Sequence, residues 1–462
     1  MQNANEMNGA STVSLTEGVL TLGRLAAASR LRGGVGTLLH RPYWWNALPE
    51  EEAPAPLPKS IDVAVIGSGF TGLSAALTLL RRGRSVAILE AGRTGYGAST
   101  RNGGQVGSGN QKFRVKTLIS LRGEKKAVAL LKEGVAMLDY IERLVAEERI
   151  SCHFRRSGRF RGAMRPEHYE SMARDMEDLR AVAGVDSFMV PRAEQTKEIA
   201  TDMFHGGSVL PHDASLHPGL YHAGLTRRVK EAGGVIADHC PATGIAPEAD
   251  GFVINTPKGR LAAQNVIVAT NGYTGHLESY LSQRMVTVES ALLATAPMVQ
   301  ERIASLMPGE RMYGNTSRVF SYFRAAPDEP RIVWGGRTGR LHGDGSISAY
   351  AHLARDLLKV FPSLSDVPVT HGWSGKIGYT FDELPHLGKT PAGIHFAMGY
   401  CGTGVSRSTY FGHKIALQLI GDPAGQTAFD DIVFPSHAFQ PLAQVAVPVV
   451  ETWYRVRDAA NI

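Results

Sequence analysis

Three glycines in six residues, Gly67, Gly69 and Gly72, stand between the apolar run Ile61-Asp62-Val63-Ala64-Val65-Ile66 and Leu73-Ser74-Ala75-Ala76-Leu77. The chemistry such a spacing can perform is the holding of a pyrophosphate. The first glycine allows a tight turn, the second lets backbone approach the phosphates, and the third lets a helix pack closely on a strand. The anion would rest on the helix N-terminus, with Phe70 and Thr71 in the first turn, where free N–H groups and the helix dipole favour negative charge. A second strand, Ser85-Val86-Ala87-Ile88-Leu89, delivers Glu90 to accept hydrogen bonds from a ribose diol. That acid disfavours a 2′-phosphate, since like charges would meet.

The elements that position these residues need a large frame. At 462 residues the chain exceeds one compact core, so two domains are expected. The 43% hydrophobic content fits a soluble globular enzyme. No apolar stretch is long enough to span a bilayer and no secretory signal is visible, so a cytoplasmic location is expected. Cys152, Cys240 and Cys401 are odd in number and far apart, which argues against a disulfide framework, a dithiol site or a metal site. The net charge of +6 is scattered among acids, without the basic stripe that nucleic acid requires.

The expected fold is α/β with α+β character overall: a discontinuous Rossmann-like nucleotide domain and a second, mixed-sheet substrate domain. Residues 1–58 read as an N-terminal extension and linker, and 431–462 as a C-terminal extension. The nucleotide domain is expected over 59–110, 205–275 and 372–430, and the substrate domain over 111–204 and 276–371. Within the extension, Ser14-Leu15-Thr16-Glu17 has the capping-box pattern, and Leu15, Val19, Leu22 and Leu25 could form one apolar helix face near Arg24, Arg30 and Arg32. Two readings are open for it: docking on its own enzyme or a neighbouring subunit, or a peripheral membrane contact. The proline-rich Pro49–Pro56 reads as a linker.

A second glycine-rich string, Gly95 to Gln105, follows Glu90. A nicotinamide enzyme does not need it. An extended FAD does, because its ribityl and ring parts must pass close to backbone with little side chain. The strand Val266-Ile267-Val268-Ala269 running into Thr270-Asn271-Gly272, and the glycine turn Gly399 to Val405 before a helix, fit the same ligand. That helix N-terminus would stabilise negative charge on the pyrimidine side of the ring.

With these strings in order across most of its length, the chain resembles the FAD-dependent oxidoreductases of the D-amino acid oxidase superfamily. Asn102-Gly103-Gly104-Gln105, Tyr322-Phe323-Arg324 and Gly375-Lys376-Ile377-Gly378 make it look most like the γ-glutamylputrescine oxidoreductases. The resemblance implies FAD held by Gly67, Gly69, Phe70, Thr71, Gly72, Glu90, Ala91, Ser99, Asn102, Gly103, Gly104, Gln105, Ala242, Ala269 and Thr270. Gly402, Thr403, Gly404 and Val405 would lie at the ring. Some relatives tether the flavin through a cysteine after the segment corresponding to Trp373-Ser374-Gly375-Lys376; here Ile377-Gly378-Tyr379-Thr380 has none, so non-covalent FAD is expected.

The resemblance further implies oxidation of a C–N bond, with hydride passing from the amine's α-carbon to flavin N5 and the imine hydrolysing in water. A free amine is mostly protonated at neutral pH, so the site must favour its neutral form, and aromatic walls do this by desolvation. Tyr322 and Phe323 are the candidates for lining the site, Arg324 for a carboxylate partner, and Lys376 for a cation near the flavin. His217, before Pro218, reads as a helix cap. The electron acceptor is oxygen or another carrier: the lysine that sarcosine oxidases carry near Arg331-Ile332-Val333-Trp334 is missing here. Oxidation of a cyclic or N-methylated amino acid, and a non-catalytic FAD-binding partner protein, are the alternative readings.

Overall fold

The runs Ser60–Ile66 and Val86–Leu89 are buried along most of their length, as strands covered on both faces of a parallel sheet must be. The computed structural model describes residues 19–27, 38–50, 53, 55–108, 112–337, 347–438 and 440–459. These strands belong to an eight-stranded sheet whose main path runs His386–Lys389, His395–Met398, Gly259–Val268, Ser60–Ile66, Val86–Leu89 and Val235–Ala237. All pairs along that path are parallel except the first. A hairpin of Gly244–Glu248 and Gly251–Thr256 extends the strand Gly259–Val268 on the amino side. In register, Ile66 pairs with both Leu89 and Val268, so the carboxyl ends converge on one edge. An open parallel sheet binds ligands beyond that edge.

Helix Phe70–Arg81 leaves this edge and packs against helix Gly404–Leu419. Their backbones come so close that a Cβ at Gly412 would strike the Thr71 carbonyl, and Ser74 Oγ donates to Thr409 O at 2.6 Å. Leu73, Ile88, Leu130, Ile141, Phe411 and Ile415 form the surrounding core.

The second eight-stranded sheet has the order Val369–Tyr379, Val286–Thr295, Ile332–Arg337, Tyr322–Ala325, Met312–Asn315, Arg159–Gly162, Gly207–Leu210 and Phe188–Val190. Strand alternation divides its side chains: Leu293, Phe323 and Trp334 join Tyr350 and Leu357 of helix Ile347–Val360, while Leu292, Tyr322 and Trp373 face the other way.

The segment boundaries differ from the sequence expectation in three places. Val369–Tyr379 pairs along its length with Val286–Thr295, so the chain rejoins the first sheet at His386, not at 372. Gly207–Leu210 pairs with Arg159–Gly162 and belongs to the second sheet. Residues 1–58 are more than extension and linker: Leu20, Leu22, Leu25 and Leu38 are buried in the second core, and Trp44 is wholly buried. The described apolar side of helix Leu22–Ala27 is thus spent on the protein's own core, in keeping with the docking reading, although Val19 is exposed. The capping box Ser14-Leu15-Thr16-Glu17, Arg30 and Arg32 lie outside the described residues, as do Glu51, Glu52 and Pro54. Among the described residues no helix is long and apolar enough to cross a membrane.

Candidate active site

The glycine turn has the geometry its spacing requires. Gly67 has φ +103°, and its N–H donates to Leu89 O at 2.9 Å. A Cβ at Gly72 would collide with the Gly67 carbonyl, so only glycine lets the helix return over the strand. Gly69 is different: its φ of −71° suits any residue, and a Cβ would meet only Ser99 Oγ, at 3.1 Å. Its missing side chain leaves open space before the helix rather than relieving strain. Ser99 Oγ accepts from Phe70 N at 2.9 Å and so brings the second glycine string to the first.

Glu90 lies against the same turn. Its Oε2 accepts from Ser68 N and Ser68 Oγ at 2.9 and 2.6 Å, and its Oε1 from Gly92 N at 3.1 Å. Ala91 is exposed beside it, and half-buried Ala242 follows Cys240, whose N–H donates to Glu90 O at 2.8 Å. Underneath, buried His222 Nε2 lies 2.7 Å from Ser68 O. Burial pushes the His222 pKa down to about 4, so the neutral ring must carry its proton on Nε2 to donate to that carbonyl.

Burial depresses His371, His395 and His413 to about 4 as well. A depressed folded-state pKa means the unfolded chain binds the proton more readily. The stabilisation is full above the ordinary histidine value of 6.5 and is lost as pH falls toward about 4. The melting midpoint of the protein is therefore expected to fall across that window, and His222→Gln to lessen the fall.

Three tryptophans fix the loop 95–105. Trp44 and Trp45 donate to Asn102 O and Thr100 Oγ1, each at 2.8 Å, and Trp373 donates to Arg101 O at 2.9 Å. The Asn102 amide is used within the loop, donating to Ala98 O and Ser99 O and accepting from Gly104 N. Gln105 Nε2 donates to Tyr313 O and Phe323 O, fastening the loop to the second sheet. Ala269 is buried and Thr270 half-buried at the strand end, while Asn271 Oδ1 accepts from Gly399 N at 2.9 Å and joins that end to the last glycine turn. There Tyr400 OH meets Thr71 Oγ1 at 2.7 Å, Thr403 precedes the helix that begins Gly404-Val405 without a side-chain capping bond, and exposed Gly402 has φ +88°.

The four side chains proposed for the substrate site fare differently. Tyr322 stands against the loop, its ring 3.1 Å from a Cβ at Gly103, and its hydroxyl is 2.8 Å from Ser290 Oγ. Burial pushes its pKa up to about 12, so it is a neutral phenol at working pH. Arg324 is a correction: its Nη1 donates to Gly104 O and Leu216 O at 2.8 and 3.1 Å and its Nε to Ala325 O, which makes it a brace under the glycine loop rather than a carboxylate partner. Phe323 faces the opposite side of the sheet, in the second core. Lys376 is exposed, its ammonium 5.4 Å from the centroid of the Tyr273 ring.

A group missed by the sequence reading lies next to Tyr322. Arg337 Nη2 donates to Tyr379 OH at 2.6 Å, and Lys112 Nζ donates to the same oxygen at 3.3 Å. Both cations also lie near the Phe320 ring, at 5.9 and 6.0 Å, and near the Tyr379 ring, at 5.2 and 5.1 Å. A Cβ at Gly402 would be 3.5 Å from Tyr379 OH, so the cluster adjoins the last glycine turn. The legible signal was Arg337 itself, an ionisable residue closing the buried strand Ile332–Arg337.

A parallel sheet with an anion-ready helix start at its carboxyl edge, and a glycine loop that fastens it to a second sheet, defines a dinucleotide-cofactor oxidoreductase. The residues present fit FAD: glycine backbone forms both the helix start and that loop, and Gly69 leaves open the space that a Cβ would fill. The family model described as FAD dependent oxidoreductase (DAO) matches residues 62–418, and the chain belongs to that family of FAD-dependent enzymes. It is 28% identical to the gamma-glutamylputrescine oxidoreductase of Escherichia coli (strain K12), over 87% of this chain and 93% of that protein. It is 27% identical to the probable oxidoreductase OrdL of Haemophilus influenzae, over 86% and 92% respectively. The glycine oxidase structure from Geobacillus kaustophilus shares the fold, with TM-score 0.68 and 20% identity over 82% of this chain and 99% of that one.

Proposed function

We propose that this enzyme oxidises the C–N bond of an amine that carries a carboxylate at its far end, a γ-glutamylputrescine-like substrate. The observation that carries this reading is the pair Lys112 and Arg337 on Tyr379 beside the last glycine turn. Two cations between two aromatic rings suit an anionic group on an apolar stem. The 28% identity to a gamma-glutamylputrescine oxidoreductase supports the same class.

When FAD is bound, the chemistry it supplies is acceptance of a hydride from the carbon next to the amine nitrogen, leaving an imine that water hydrolyses. The protein's part is to bind and orient. Lys112 and Arg337 take the carboxylate, Phe320 and Tyr379 cover the stem, and Tyr322 forms the apolar wall opposite Gly103 that favours the neutral amine. With its pKa near 12, Tyr322 positions the substrate and does not take its proton.

The same cations would also hold the carboxylate of a cyclic or N-methylated amino acid, which is the second reading. Anaerobic bleaching of the flavin distinguishes them. With γ-glutamylputrescine, putrescine, proline and sarcosine as probes, γ-glutamylputrescine is expected to bleach the protein at the lowest concentration. Bleaching by proline or sarcosine alone would overturn the first reading in favour of the second. Re-admission of air then tests oxygen as acceptor.

A further inference from the structure

We propose that the C-terminal helix Gln440–Ala459 is a wall of the substrate site and that Asp458 is the residue that seats it. The inference rests on the reading of the cation–aromatic cluster as the carboxylate site. The helix crosses the second sheet with a contact at each end and one between. Gln440 Nε2 donates to Ser282 O and Met285 O at 2.9 and 3.0 Å. Val447 packs on the small cluster of Val288, Tyr379 and Cys401. Asp458 then closes on the connection before strand Tyr322–Ala325: its Oδ2 accepts from Arg318 N and Val319 N at 2.9 and 3.2 Å, and its Oδ1 from Arg318 Nη1 at 3.2 Å.

These contacts fall on both aromatic walls of the cluster. Val447 packs against the cluster that contains Tyr379. Asp458 fixes the backbone of Arg318-Val319, and the next residue is Phe320, the other ring facing Lys112 and Arg337. One helix therefore sets the spacing of the two rings between which the cations lie. One apolar stripe of the helix, Leu442, Val449, Trp453 and Val456 at helical spacing, is more than half exposed and does not help to hold it there. What seats the helix end is a carboxylate that receives two backbone N–H bonds and one guanidinium bond, the stronger kind of hydrogen bond. Among the described residues the helix makes no hydrogen bond to Gly103 or to the hydroxyl of Tyr322, so its effect should fall on substrate binding rather than on the reacting end.

The test uses the holoenzyme with γ-glutamylputrescine as probe, comparing Asp458→Ala, Asp458→Asn and Arg337→Met. Asp458→Ala is expected to raise KM about tenfold with kcat within about twofold, the loss expected for hydrogen bonds to a charged group. Asp458→Asn keeps an amide oxygen for the two backbone N–H groups and should recover much of that loss. FAD content and the visible spectrum should be those of the parent. A role confined to stability would lower the melting midpoint of Asp458→Ala and leave KM unchanged, and that result would overturn the proposal. If Arg337→Met raises KM while Asp458→Ala does not, the wall assignment fails alone. If Arg337→Met itself leaves KM unchanged, the carboxylate site fails, and the helix proposal with it.

Discussion

Gly69→Val should yield folded, colourless protein. The backbone at this position has φ −71° and ψ 178°, an extended conformation that valine adopts readily, and nothing but Ser99 Oγ lies near the new Cβ. The substitution therefore asks of the fold a small shift of the Ser99 hydroxyl, which lies 3.1 Å from the new Cβ. Its branched side chain instead fills the space in front of the first helical turn, where the pyrophosphate must approach backbone. FAD in the purified protein is expected to drop from about one per chain to below about a tenth, as loss of close pyrophosphate approach implies. Absorbance near the flavin bands against protein concentration measures this, and circular dichroism reports the fold. Gly67→Val and Gly72→Val make poorer tests, since a side chain there fights a φ of +103° or the Gly67 carbonyl and would unfold the turn itself. Stoichiometric yellow colour in Gly69→Val would refute the placement of the cofactor on this helix.

The contrast between these glycines shows why the first half of the site was legible. A glycine turn, the strand before it, the helix after it and Glu90 are consecutive or one crossover apart, so local rules place all of them. The pairing of Ile66 with Leu89 and Val268 follows from the same parallel-sheet pattern. The cation–aromatic cluster was not legible, because its parts come from four separate stretches: Lys112, Phe320, Arg337 and Tyr379. No spacing links them: the register of Val369–Tyr379 and of Ile332–Arg337 against Val286–Thr295 places Tyr379 and Arg337, while Lys112 and Phe320 come from connections outside those strands. Arg324 shows the complementary error. Its side chain does share a sheet face with Tyr322, as alternation predicts, but the carbonyls of Gly104 and Leu216 take its donors first. Trp44 and Trp45 were hidden for another reason: a proline- and acid-rich stretch just after them reads as linker, although the two indoles clamp the loop that follows Glu90.

Arg337→Met should leave a fully yellow enzyme that binds its carboxylated substrate poorly. Methionine keeps an unbranched apolar stem against Phe320 and Tyr379 and removes the guanidinium, so packing persists while one cation is lost. A charge-assisted hydrogen bond in a partly desolvated site contributes roughly 1.5 to 3 kcal/mol, which corresponds to an increase in KM of about ten- to a hundredfold. Lys112 remains, and as a point charge on a flexible stem it cannot reproduce a bidentate fork; Arg337→Lys should therefore recover only part of the loss. The decisive control is an amine without the carboxylate. For putrescine the same substitution should change KM by less than about threefold, because the group removed had nothing to pair with. Equal losses for both amines would show that Arg337 shapes the pocket without reading charge, and the site would then have to be sought on another face of the second sheet.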